Sequence, residues 1–156
     1  MRNSPEYAII SPNALKGRQP MIRPICKDVF FLSQKSRDYT PADRQITEDL
    51  ADTLLHHRDG CVGMAANMIG AAVRVIAFFD GDILCVLCNP ELVWGKEPYE
   101  TEEGCLSLNG VRKTTRYARI KIRYETPEGS ARMKTYTGFP AQIVQHELDH
   151  TMGTII

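Results

Sequence analysis

The chain lacks any long uninterrupted apolar run. No segment approaches the about 20 consecutive apolar residues that a membrane-spanning helix needs. Near the N-terminus only Ala8, Ile9 and Ile10 form a short apolar run, which is too little for a secretory signal. We therefore expect no membrane partner, a cytoplasmic location and reduced thiols.

Neither sign of charge is in excess. The 19 Lys and Arg residues balance the 19 Asp and Glu residues, so the formal net charge is 0. Direct binding to nucleic acid or to an anionic membrane usually requires a strongly basic surface. The composition therefore predicts neither kind of partner.

Cysteines are few, and their arrangement does not suggest a disulfide framework. There are 5, an odd number, at irregular spacing. Cys85 and Cys88 form a C-x-x-C pattern, but in a strand their side chains would point to opposite faces. No second pair accompanies them, so we expect neither a zinc ribbon nor a redox motif.

The length of 156 residues suits one domain with a substantial core. Residues 1–20 contain three of the 9 prolines and little periodicity, so they are interpreted as a leader or flexible tail. The remaining residues, 21–156, are predicted to form a single domain.

Apolar periodicity predicts the α+β class. Residues 40–58 have the pattern of a helix, with Pro41 at its first position and Ile46, Leu50 and Leu54 on one face. A second helix is expected to begin at Pro140. Four segments have strand patterns: 73–79, 83–88, 118–126 and 131–139. We expect antiparallel sheets packed around the C-terminal helix, with one N-terminal helix.

The C-terminal helix carries the pattern HExxH. His146 and His150 lie at i and i+4, so two imidazoles on one helix face can bind one metal ion, with Glu147 beside them as a base. A third ligand is needed, and Asp149 lies on another face of the helix. Cys105, in a Gly-Cys-Leu-Ser segment, is a candidate, but spacing alone also allows a plain buried cysteine.

Three short segments resemble the motifs of the peptide deformylases. They are "EGCLS" at 103–107, "QHELDH" at 145–150 and, in altered form, "CVGMAANM" at 61–68. The resemblance extends from about Met21 to the C-terminus. It implies a metal-dependent hydrolase that removes the N-formyl group from the terminal methionine of newly made polypeptides, with nascent chains, some at the ribosome, as partners.

The resemblance also implies residue roles. Cys105, His146 and His150 would bind one divalent metal ion, Fe(II) in the cell, with Zn, Ni or Co as substitutes. Glu147 would act as general base and acid, and the backbone N–H of Leu106 would stabilise the developing oxyanion.

The resemblance implies substrate contacts as well. The backbone of Gly63 and of the segment around Val62 would pair with the substrate peptide. Phe139, Ile143 and Val62 are candidates for an apolar methionine pocket, although all three also suit a plain core.

Met68 departs from the family pattern, because it replaces a glutamine whose amide would help to stabilise the oxyanion. A thioether has no N–H to donate, so we expect reduced activity. The adjacent Asn67 is not expected to compensate, because on a strand its side chain would point to the opposite face. Two alternatives remain open. One is a weak or inactive deformylase-like protein that binds N-terminal peptides or senses metal or oxidation. The other is a different HExxH amidase or protease.

Overall fold

The computed structural model describes residues 17–156, and their architecture is α+β. Most of the predicted leader therefore lies outside the described residues. Within this part of the chain, one antiparallel sheet contains five strands in chain order: β1 (Gly63–Ala65), β2 (Val75–Asp80), β3 (Ile83–Cys105), β4 (Leu108–Glu125) and β5 (Ala131–Thr137). The helices are α1 (Val29–Leu32), α2 (Arg44–His56) and α3 (Gly138–Thr151), with 3-10 turns at Pro41–Asp43 and Ala66–Ile69.

The central strands bury both faces of the sheet, because α2 covers one face and α3 covers the other. Side chains alternate between the faces along a strand. The core on the α2 side includes Leu50, Leu54, Val75, Ala77, Val86 and Cys88. The core on the α3 side includes Ile76, Phe78, Cys85, Leu87, Ile143 and Val144. This double coverage explains why β2 and the start of β3 are continuously apolar.

Cys85 and Cys88 belong to these opposite cores, as the strand pattern predicts. All five cysteines are free thiols in this structure. Among residues 17–156, no helix has both the length and the apolarity needed to cross a membrane.

The hairpin formed by β3 and β4 is longer than the sequence pattern predicts. Beyond Cys88, β3 continues to Cys105 through Gly95 and Pro98, in a stretch that is exposed or half-buried at most positions and lacks a clear apolar alternation. Register shifts between Cys88 and Glu91, between Leu92 and Trp94, and between Gly104 and Cys105 break the regular pairing. Such bulges bend a strand pair.

Both predicted helices are present with shifted ends. The first begins as the 3-10 turn Pro41–Asp43 and continues as α2, where Asp49, Asp52 and Thr53 are buried. These three side chains bond the preceding segment: Arg18 Nη2 and the Met21 amide both donate to Asp52 Oδ2, at 2.8 Å and 2.9 Å. The second helix, α3, starts two residues before Pro140, at Gly138.

Candidate metal centre and active site

Helix α3 presents His146, Glu147 and His150 toward the protein interior. Their exposed fractions are 7%, 3% and 0%. The helix is anchored to β4 by Gln145, whose side-chain amide accepts from the Tyr117 amide and donates to the Tyr117 carbonyl, both at 2.8 Å. This pair of bonds fixes α3 against the sheet one residue before the first histidine.

Cys105 meets the two histidines where β3 ends. Its Sγ lies 3.4 Å from His150 Nε2, and the Nε2 atoms of His146 and His150 are 3.1 Å apart. One ligand atom from each of the three residues lies within 4.8 Å of the others. The structure therefore brings together all three residues that the sequence proposed as ligands.

This donor set fits a small divalent metal ion. Zinc-type bonds of about 2.0–2.3 Å in a tetrahedral arrangement keep nitrogen and sulfur ligands roughly 3.3–3.6 Å apart. The observed separations of 3.1 Å and 3.4 Å are close to those values. Two imidazoles and one thiol are also ligands that zinc and iron accept.

Glu103 orients His146 from the side away from the other ligands. Its Oε1 lies 2.9 Å from His146 Nδ1, so that Nδ1 carries the proton and Nε2 keeps its lone pair for a metal. Arg116 donates to both carboxylate oxygens of Glu103, at 2.7 Å and 3.0 Å, and Gln142 donates at 3.0 Å. Arg116 also bonds Asp149 Oδ2 at 2.6 Å.

This network keeps Glu103 ionised although it is buried. Burial alone would raise the pKa of the carboxyl, but the bonds from His146, Arg116 and Gln142 lower it to about 2. No sequence pattern predicts the contribution of Gln142, because it lies 39 residues from Glu103 in the chain.

Glu147 is an unusual carboxylate because it is buried beside the ligand cluster without a full set of partners. Its Oε2 has no hydrogen-bond partner in the described part of the chain. Burial raises the pKa of this carboxyl to about 7. Such a group can accept a proton near neutral pH and release it again.

Gly63 allows β1 to lie directly against α3. A Cβ placed on Gly63 would be 2.5 Å from Ile143 Cγ2 and 3.0 Å from Glu147 Oε1. Only a hydrogen atom fits in that space. The absence of a side chain at Gly63 therefore sets how closely the edge strand approaches the carboxylate.

A cavity of about 600 Å³ opens beside these groups. Its lining includes every residue that the sequence proposed for substrate contact: Val62, Gly63, Met68, Phe139 and Ile143. Cys105, Leu106, His146 and Glu147 also line it. Phe139 and Val62 are 59% and 41% exposed, whereas Met68 and Ile143 are almost fully buried.

The segment around Met68 differs from the expectation that it is a strand. Residues 66–69 form a 3-10 turn, so Asn67 and Met68 do not simply point to opposite faces of a sheet. The Asn67 side-chain amide donates to the His150 carbonyl at 2.9 Å. Met68 Sδ accepts from the Ala65 amide at 3.5 Å. Asn67 therefore ties the turn to the end of α3.

The chain is similar to known proteins over nearly all of the described residues. Residues 19–156 match the model of the polypeptide deformylase family. A peptide deformylase from Clostridium beijerinckii is 46% identical over 136 residues, covering 87% of this chain and 100% of the relative.

Solved structures agree with that similarity. A class I type b peptide deformylase from Acinetobacter baumannii with bound Met-Ala-Ser superposes with a TM-score of 0.76 at 29% identity, covering 86% of this chain and 97% of the other. A peptide deformylase from Thermotoga maritima superposes with a TM-score of 0.78 at 27% identity, covering 88% and 95%.

Proposed function

Because the chain belongs to the polypeptide deformylase family, we propose that Cys105, His146 and His150 hold its metal ion. The members of this family are metallo-hydrolases that remove the formyl group from N-formylmethionyl peptides. The observation that carries this proposal is the convergence of one Sγ and two Nε2 atoms beside the buried Glu147. A divalent ion bound there supplies Lewis acidity that makes water nucleophilic near neutral pH.

Glu147 is the general base and then the general acid. It accepts a proton as water adds to the formyl carbon, and it gives that proton to the methionine nitrogen as the C–N bond breaks. The products are formate and a peptide with a free amino terminus. Burial of Glu147 and the unpartnered state of its Oε2 within residues 17–156 support this role.

Leu106 contributes its backbone N–H, which donates to the formyl oxygen as charge develops there. Its position directly after Cys105, on the wall of the cavity, supports this assignment. Met68 lies on the same wall and offers no N–H. We therefore propose slower turnover than a glutamine at residue 68 would allow, by about 10²–10³-fold.

The apolar part of the cavity accommodates the methionine side chain. Ile143 and Met68 form its buried part, while Val62 and Phe139 stand at the exposed rim. Apolar walls suit a flexible, polarizable thioether. Formylmethionine occurs at the start of new chains, so we place the enzyme in the cytoplasm with nascent chains, including those at the ribosome, as partners and without direct nucleic-acid binding.

The metal is proposed to be Fe(II) in the cell, with Zn, Ni and Co as substitutes. One soft thiolate with two imidazoles accepts all four ions. Quantifying the metal that co-purifies under anaerobic conditions would test the assignment. Iron below the content of zinc, nickel or cobalt in such a preparation would contradict it.

The experiment that tests the function is anaerobic turnover of a formyl-Met tripeptide by the Fe(II)-loaded protein. We expect weak activity in the wild type, a gain of about 10²–10³-fold in Met68→Gln, and loss in Glu147→Ala. Met68→Leu is the matched control for size and should show no gain. Activity retained by Glu147→Ala would contradict the base assignment.

A further inference from the structure

Cys61 lies two residues before β1, on the wall of the active-site cavity. Its Sγ is 3.0 Å from the Gly63 carbonyl oxygen, so the thiol is the donor of a hydrogen bond to it. Burial raises the pKa of this thiol to about 11, which keeps the proton that it donates. The nucleophilic form is therefore scarce, and a covalent role is not favoured.

The Gly63 carbonyl has a particular position in the sheet. Within residues 17–156, strand β1 pairs only with β2 and is therefore an edge strand. The Phe79 amide donates to the Val62 carbonyl at 3.0 Å, so the polar backbone groups of Val62 face β2. Backbone groups of successive residues in an antiparallel strand point in opposite directions. The Gly63 carbonyl therefore points away from β2, to the unpaired edge.

An unpaired strand edge beside a cavity is where an extended peptide can add as a further strand. The Gly63 carbonyl is then the acceptor that a substrate amide would use. In this chain the Cys61 thiol is already bonded to that carbonyl. Gly63 itself lies directly against α3, because Ile143 and Glu147 occupy the space where its Cβ would be.

We propose that the Cys61 thiol competes with the substrate backbone for the Gly63 carbonyl, so that Cys61 sets peptide affinity rather than the rate of the chemical step. This inference rests on the proposed function, since it assumes that the formyl peptide lies along β1. A thiol is a weaker donor than an amide or a hydroxyl. The peptide can therefore displace it, at a loss of affinity.

Kinetics with a formyl-Met tripeptide test the proposal. Cys61→Ala removes the competing donor and should lower KM by about 3–10-fold, with kcat changed by less than twofold. Cys61→Ser supplies a stronger donor and should raise KM above the wild-type value. Cys85→Ala is the matched control. The Cys85 Sγ lies 3.7 Å from the Ile83 carbonyl oxygen, and Cys85 does not line the cavity. A KM for Cys61→Ala equal to or above that of the wild type would refute the competition.

A spectroscopic measurement separates this inference from the proposed function. In the infrared difference spectrum, saturation with the unformylated tripeptide Met-Ala-Ser should shift one S–H stretching band toward the position of a free thiol. That band should be missing in Cys61→Ala. An unchanged band at saturation overturns the proposal even in an active enzyme. A shifted band in a protein without turnover leaves Cys61 as proposed and counts against the deformylase chemistry.

Discussion

Adding one methyl group at Gly63 should damage both the fold and the reaction. In Gly63→Ala the new Cβ would lie 2.5 Å from Ile143 Cγ2 and 3.0 Å from Glu147 Oε1. Carbon atoms in contact are normally about 3.5–4.0 Å apart, so the overlap with Ile143 is roughly 1 Å. Overpacking of this kind costs about 1–3 kcal/mol in unfolding free energy.

Relief of the overlap would move β1 away from α3 or displace the Glu147 side chain. A misplacement of about 1 Å at a catalytic group can reduce the rate about 10²-fold. Urea unfolding of the metal-loaded protein measures the stability loss, and kcat/KM for a formyl-Met peptide measures the catalytic loss. Both losses are expected together in Gly63→Ala.

Gly60→Ala is the matched control, because Gly60 lines the same cavity. A Cβ at Gly60 would have no heavy atom within 4 Å. The stability of Gly60→Ala should stay within about 0.5 kcal/mol of the wild type. Ile143→Ala removes the contacted methyl group, so the double variant Gly63→Ala/Ile143→Ala should show a favourable coupling of about 0.5–3 kcal/mol. Equal stability of Gly63→Ala and Gly60→Ala would refute the steric reasoning.

Three further predictions concern charge and metal. Arg116→Leu removes the guanidinium from buried Glu103 and should lower the unfolding free energy by about 3–5 kcal/mol. Arg44→Leu breaks the exposed pair with Glu128 and should change it by at most about 1 kcal/mol. Equal losses in urea unfolding would contradict this. The neighbouring Arg37 guanidinium lowers the pKa of Asp43 from 3.8 to about 2, so the unfolded chain takes up this proton first. The stabilisation should therefore be complete above pH 3.8 and disappear as the pH falls toward 2, and Asp43→Asn should lack this part of the pH dependence. Chelation should abolish turnover and lower Tm, since a free ion at a thousand times its Kd stabilises the folded state by about 4 kcal/mol. In Cys105→Ser the metal-dependent Tm shift should be smaller than in the wild type. An undiminished shift would argue against Cys105 as a ligand.

The helix and strand patterns predicted the fold class well where local periodicity is strong. The α+β class, the early helix and two antiparallel strands within 118–126 and 131–139 are confirmed. The second of these strands ends at Thr137, and residues 138–139 already belong to α3. The pattern missed most of the β3–β4 hairpin, because its strands beyond Cys88 are largely exposed and contain Gly95 and Pro98. Strand pairing over that length is a long-range interaction that no local window detects.

The same division applies to the site. His146, Glu147 and His150 are neighbours by helix geometry alone, so their proximity follows from the sequence once residues 140–150 are helical. The prediction that Asn67 lies on a strand was wrong. Residues 66–69 form a 3-10 turn, which carries no apolar periodicity. The bond of Asn67 to the His150 carbonyl spans 83 residues of chain, a distance at which sequence pattern has no information.

The sequence by itself determined which chemical groups are present and which of them share one helix face, because side-chain direction in a helix follows from its 3.6-residue period. Only the tertiary structure decided that Cys105 reaches those histidines, that Arg116 and Gln142 hold Glu103 against His146, and that the Cys61 thiol bonds the Gly63 carbonyl. Most of these contacts join residues far apart in the chain. They form because a bent hairpin and an edge strand both pack against α3, which is a property of the whole sheet rather than of any segment.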